Sequence, residues 1–149
     1  MIKILFVCHG NICRSVMAEM VLRDLAEKAG RQDIVVDSCA TSTEEIGNDI
    51  YPPAKRCLSS HDVPFTRHAA RQITRHDFET YDHIYCMDHN NLRNIRRQLG
   101  NAYADSEKLQ LLMTLTGSDR DVADPWYTGD FEATYRDVVE GCEQIMKLY

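Results

Sequence analysis

Lys3-Ile4-Leu5-Phe6-Val7-Cys8-His9-Gly10-Asn11-Ile12-Cys13-Arg14-Ser15 is the stretch that decides how this chain reads. Ile4, Leu5, Phe6 and Val7 form an unbroken apolar run, the pattern of a strand buried on both faces, as in a parallel sheet. A helix is expected over residues 16–29, with Met17, Val21 and Leu25 on one stripe and Gly30 as its stop. The turn between them therefore lies at a strand's carboxyl end and a helix's N-terminus. There, unpaired N–H groups and the helix dipole favour an anion. Gly10 and Asn11 best tolerate the left-handed backbone angles that turn several N–H groups inward. The same field favours the thiolate form of Cys8. Arg14, six positions on, carries a planar fork that can take two phosphate oxygens at once.

Working outward, residues 34–37 read as a second short strand, and Pro52-Pro53 opens a helix over 52–60, since proline is tolerated in a first turn. Residues 82–87 read as a buried strand, followed by a polar helix over 90–99. Residues 108–115 are ambiguous between strand and helix; their place late in a βα alternation favours strand. Phe131, Tyr135, Val138, Cys142, Ile145 and Tyr149 recur at spacings of four and three behind an N-cap at Asp130, the clearest helix of the chain. This alternation predicts an α/β fold, an open, mostly parallel four-stranded sheet with helices on both faces and its ligand beyond the strands' carboxyl ends. No repeat, low-complexity tract or linker divides the sequence, so residues 1–149 read as one domain.

A chain of 149 residues can bury one substantial core, and 44% hydrophobic with 27% charged residues is a globular balance. A formal net charge of -6 argues against non-specific attraction to nucleic acid or anionic lipid, and makes any anion site a local concentration of positive potential. No apolar run approaches the roughly 20 residues of a membrane span. The six cysteines, with no secretion signal, point to a reducing compartment, and hence a cytoplasmic location. Neither Cys8 with Cys13 nor Cys39 with Cys57 has zinc-ligand spacing. Cys39, Cys57, Cys86 and Cys142 read as core residues. His61, His76, His83 and His89 read as solvated, and Arg93, Arg96 and Arg97 as an exposed helix face.

The loop and its surroundings resemble the low-molecular-weight protein tyrosine phosphatases, whose signature is close to V-C-x-G-N-I-C-R-S-P-x-A-E. This chain reads Val7-Cys8-His9-Gly10-Asn11-Ile12-Cys13-Arg14-Ser15-Val16-Met17-Ala18-Glu19, departing at His9, usually Leu, and Val16, usually Pro. A second signature, Asp124-Pro125-Trp126-Tyr127, stands just before the last helix. Residues 37–43, 68–72 and 86–88 also look like family counterparts, so the resemblance spans essentially the whole chain.

The resemblance implies hydrolysis of phosphotyrosine monoesters in proteins. Cys8 would be the nucleophile, Arg14 the phosphate clamp and Asp124 the general acid and base. His9, Gly10, Asn11, Ile12, Cys13 and Ser15 would line the phosphate site, and Trp126 and Tyr127 the substrate wall. It also implies that Ser15 bonds the Cys8 sulfur and that Ser38 and His68 hold Asn11. Neither metal nor cofactor is expected, because Arg14 and the loop N–H groups neutralise the phosphate. Cys13 is either a redox partner of Cys8 or a packing residue. Glu44 takes a wall position where many relatives have an aromatic; it either lines the pocket or points to solvent. A monomer with weak self-association is the expected state.

Three rivals remain. A thioredoxin-coupled arsenate reductase needs a second cysteine about seven positions after Cys86, where this chain has Arg93. Protein arginine phosphatases of the same family carry Thr where this chain has Ile12. A catalytically silent phosphate-binding module is disfavoured by Cys8, Arg14 and Asp124 occurring together.

Overall fold

A computed structural model describes residues 1–149. Four strands, β1 (Ile2–Cys8), β2 (Ile34–Ala40), β3 (His83–Cys86) and β4 (Leu109–Leu111), form one sheet. Its order is β2-β1-β3-β4 and every pairing is parallel. β1 is therefore internal, with Ile4 to Val7 paired on both sides, as their continuous apolar run requires. Ile4, Phe6 and Cys8 face one side, and Leu5 and Val7 the other. On the first side pack α1 (Arg14–Lys28), α2 (Pro52–Ser60) and α7 (Phe131–Leu148), through Met17, Val21, Leu58, Val138, Cys142 and Ile145. On the second lie α3 (Asp77–Thr80), α4 (His89–Leu99) and α5 (Asn101–Ala104), with Phe78 and Ile95 as the main fillers.

Most expected elements appear within a residue or two, and the departures have local causes. α1 begins at Arg14 because Cys13 takes the N-cap position. It stops where Gly30 adopts φ 70°, letting the N–H groups of Gly30 and Arg31 close onto the carbonyls of Glu27 and Ala26. β2 runs three residues past Asp37, because Ser38 finds side-chain partners and Cys39 and Ala40 are buried. Residues 108–115 divide: Leu109–Leu111 pair as β4, and Leu112–Thr116 wind into a 3₁₀ turn. α7 crosses this turn closely. A Cβ at Gly141 would lie 2.5 Å from Leu112 Cγ, so glycine is required there by space.

His83 departs from the solvated reading. It is half-buried, its ring 4.4 Å from that of Tyr149, and burial lowers its pKa. His61, His76 and His89 are exposed, as are Arg93, Arg96 and Arg97. Cys39, Cys57, Cys86 and Cys142 are buried, as expected.

The register places the loop. Cys8 pairs with Ala40, the last residue of β2, and Val7 with Cys86, the last of β3. Beyond those ends the chain crosses the same rim. Thr41 and Ser42 N–H donate to the Cys8 and His9 carbonyls, Met87 N–H to Val7, and Val122 N–H to Met87. Segments far apart in sequence thus converge on residues 8–15.

Candidate active site

A cleft of about 120 Å³ opens at this rim. Residues 8–14 form its floor, and Glu44, Glu45, Asp124, Trp126 and Tyr127 its walls. Cys8 is only 3% exposed, at the bottom. Its Sγ accepts from the Asn11 N–H at 3.2 Å and lies 3.0 Å from Ser15 Oγ. Ser15 Oγ also accepts from Asn11 Nδ2 at 2.8 Å, which leaves the hydroxyl proton for the sulfur. The N–H groups of His9, Gly10, Ile12, Cys13, Arg14 and Ser15 have no acceptor within the protein. With α1 starting at Arg14 and no acidic residue in its first turn, they make a concave set of donors around the sulfur.

Asn11 holds this shape. It sits at φ 60° and is fully buried. Its Nδ2 donates to Ser38 Oγ at 2.9 Å as well as to Ser15, and its Oδ1 accepts from His68 Nε2 at 3.1 Å and Arg71 N–H at 3.3 Å. His68 Nε2 also reaches the Asn11 carbonyl at 2.8 Å; both partners are acceptors, so Nε2 carries the proton. Ser38 Oγ donates its own hydrogen bond to Glu19 Oε1 at 2.6 Å, and Arg23 pairs with that carboxylate.

Arg14 is 2% exposed although it opens a helix. Its Nη1 donates to Asp88 Oδ2 at 2.7 Å and to the Val122 carbonyl at 2.8 Å, and its Nη2 to Asp124 Oδ2 at 3.5 Å. Burial opposes its charge, but the negative charges of Cys8, Asp88 and Asp124 prevail, and its pKa lies above the ordinary value. Cys13, also in the floor, is buried, its thiol pushed up to about 12 by burial first and then by Cys8.

Asp124 caps the single-turn helix α6 (Pro125–Thr128), Oδ1 accepting from the Trp126 N–H at 3.0 Å. That cap orients the carboxylate over the cleft and places Trp126 and Tyr127 on its wall. Trp126 lies 4.9 Å from the ring of Tyr51, which stacks in turn on Phe131 at 6.2 Å. On the opposite wall Glu44 Oε2 meets His9 Nε2 at 3.1 Å, so Glu44 lines the cleft while most of its side chain stays in water.

Comparison with known proteins identifies the family. The family described as low molecular weight phosphotyrosine protein phosphatase matches residues 3–148. The chain belongs to that family. It is 39% identical to the human low molecular weight phosphotyrosine protein phosphatase over 149 residues, 97% of this chain and 94% of that one. It is 39% identical to the low molecular weight protein-tyrosine-phosphatase YfkJ of Bacillus subtilis over 148 residues, covering 98% and 94% of the two chains. The crystal structure of YfkJ superposes with a TM-score of 0.91 at 37% identity, over 99% of this chain and 93% of that one. The Drosophila arginine phosphatase has the same fold, with a TM-score of 0.87 at 31% identity over 99% and 98%.

Within this low-molecular-weight phosphatase fold, every residue marked in the sequence lines the cleft or bonds to its loop. Sequence reasoning missed Asp88, the Val122 carbonyl, Glu19 and Tyr51. Asp88 and Glu19 fell inside quoted stretches, and a buried carboxylate facing an arginine has no local signature. Tyr51, just before Pro52-Pro53, gave no signal of its stacking across to Trp126.

Proposed function

We propose that residues 1–149 act as a single phosphatase domain that hydrolyses phosphotyrosine monoesters in proteins through a phosphocysteine. The observation that carries this reading is the Cys8 sulfur, bonded by Asn11 N–H and Ser15 and ringed by N–H groups without acceptors. The sulfur attacks phosphorus in line while those N–H groups and Arg14 take the charge on the three equatorial oxygens. Because Asp88 and Val122 occupy Nη1, the guanidinium plane is fixed; Nε and the second N–H of Nη2, whose contact to Asp124 is a long 3.5 Å, face the phosphate. Asp124 protonates the phenolate leaving group, then takes a proton from the water that cleaves the S–P bond. Ser15 stabilises the departing thiolate in that second step.

Turnover of p-nitrophenyl phosphate tests the reading. Cys8→Ser and Arg14→Ala should each retain far less than about a tenth of the wild-type rate, the loss of several kcal/mol of transition-state stabilisation. Asp124→Asn should slow poor leaving groups far more than activated ones. A uniform loss across leaving groups would remove Asp124 from the general-acid role.

A second reading, phosphoarginine hydrolysis, has one observation in its favour: Glu44 and Glu45 on the wall would suit a cationic leaving group. Against it stands the apolar Ile12 on the floor. Matched phosphotyrosine and phosphoarginine peptides decide between them, and kcat/KM should favour the aryl ester.

A further inference from the structure

Away from the cleft, three metal-ligating side chains of different kinds stand together. Cys57 on α2 and His61 at its C-cap are four residues apart and project from one helical face. Glu132, in the first turn of α7, reaches both. Cys57 Sγ lies 3.6 Å from Glu132 Oε1, and His61 Nε2 lies 2.7 Å from Glu132 Oε2. All three donor atoms fall within 4.8 Å of one another. We propose that Cys57, His61 and Glu132 form a binding site for a borderline-soft divalent cation, zinc by its donor set, clamping the end of α2 to the start of α7.

Two of the three donor separations need little change to accept the ion. A tetrahedral zinc with sulfur at about 2.3 Å and nitrogen or oxygen at about 2.0–2.1 Å separates its donors by about 3.3–3.6 Å. The sulfur–carboxylate separation of 3.6 Å is already in that range. The imidazole–carboxylate pair must open by about half an ångström. Both side chains can do so, because His61 and Glu132 are 35% and 53% exposed. Their open side also admits a water as fourth ligand. The His61 ring is meanwhile held in plane by stacking on Tyr135 at 3.8 Å, as an oriented ligand should be.

The Cys57 thiol is pushed up to about 12, by burial first and then by the Glu132 carboxylate. Glu132 is itself held below the usual carboxylate range, chiefly by its hydrogen bond from His61. A dication among the three donors would offset the repulsion between thiolate and carboxylate, and its binding displaces the thiol proton. An ordinary His–Glu ion pair accounts for two of these groups. The third, the buried Cys57 thiol, lies 3.6 Å from the same carboxylate and 3.6 Å from the Phe131 carbonyl.

Cobalt(II) titration of the reduced protein tests the site, because a cobalt–thiolate bond gives a charge-transfer band in the near ultraviolet. Cys8→Ser serves as the background, so that the cleft sulfur contributes nothing. The expected result is one cobalt per chain with a thiolate band, displaced by zinc. Affinity should fall at least about tenfold in Glu132→Gln and in His61→Gln, and the band should vanish in Cys57→Ser. The first two side chains are exposed, so those variants test the site even if loss of the buried Cys57 disturbs folding. Absence of a thiolate band, or a band undiminished in both exposed-residue variants, would overturn the proposal.

Discussion

Asn11→Ala should cost more than any other single change in the loop that leaves the reacting groups in place. The substitution removes four side-chain bonds, to Ser15, Ser38, His68 and the Arg71 N–H. Three of those partners keep a second contact: Ser15 with Cys8, Ser38 with Glu19, and His68 with the Asn11 carbonyl. Each lost bond therefore counts near the low end of its range, roughly 0.5–1 kcal/mol. The backbone at φ 60° adds about 1 kcal/mol, because alanine lacks asparagine's tolerance of left-handed geometry. The sum is about 3–5 kcal/mol, read as a shift in the urea midpoint at unchanged slope.

Asn11→Gly separates the two contributions. It loses the same bonds but accepts the backbone angle, so it should be more stable than the alanine variant by about 1 kcal/mol. Catalysis should not follow that recovery. Without the side chain nothing ties the loop to Ser38 and His68, and kcat/KM should fall at least about tenfold in both variants. Equal stability of the two would refute the backbone argument. Either variant keeping kcat/KM within about twofold of wild type would refute the claim that Asn11 holds the phosphate site.

Glu44→Trp should lower KM for phosphotyrosine peptides several-fold at nearly constant kcat, since an aromatic contact adds about 0.5–1.5 kcal/mol of ground-state binding. It should also flatten a salt-sensitive preference for basic flanking residues, and unchanged KM and preference together would remove Glu44 from substrate binding. Mild peroxide should inactivate reversibly, with mass spectrometry finding Cys8 joined to Cys13; sulfinic Cys8 beside free Cys13 would exclude protection. Because the Cys13 thiol is raised to about 12, disulfide closure should accelerate as pH rises from 6 towards 8. Asp49 is lowered to about 2 by the Lys55 hydrogen bond, with backbone N–H groups of Ile50 and His68 assisting. Its folded pKa lies below the unfolded value, so its stabilisation is present above about pH 4 and lost as pH falls towards 2. Asp49→Asn should flatten the acid limb of stability measured by urea unfolding, and an unchanged limb would assign the acid sensitivity elsewhere.

What was legible in the sequence follows from how far apart the cooperating residues lie. The strand, the loop and the helix start are contiguous, so one short segment carried the sheet, the anion site and the nucleophile. The last helix was legible because its apolar stripe repeats for five turns. By contrast, residues 108–115 are too short for periodicity to decide, and tertiary contact divides them: Leu109 and Leu111 are claimed by the sheet, Leu112 and Met113 by the core beneath α7. Cys57 is the buried residue its sequence position suggests, and nothing local in the sequence marks its neighbours. They are the Phe131 carbonyl and the Glu132 carboxylate, 74 and 75 positions away.

Arg14 shows why even a legible residue needs the fold to explain it. A guanidinium in the first turn of a helix faces that helix's positive end, which disfavours it. A buried cation left unpaired would cost several kcal/mol more. Asp88, delivered by the end of β3 across the sheet from the loop, removes both objections with a 2.7 Å bond. That anchor occupies only one nitrogen of the fork, and the second lies 3.5 Å from Asp124. One buried cation is thereby set against the carboxylate assigned to the proton and the donors assigned to the phosphate. Asp88→Ala should consequently damage both steps of turnover, and Asp88→Asn, which keeps a hydrogen-bond acceptor but not the charge, should recover part of kcat. Full activity in Asp88→Ala would mean that the loop alone positions Arg14.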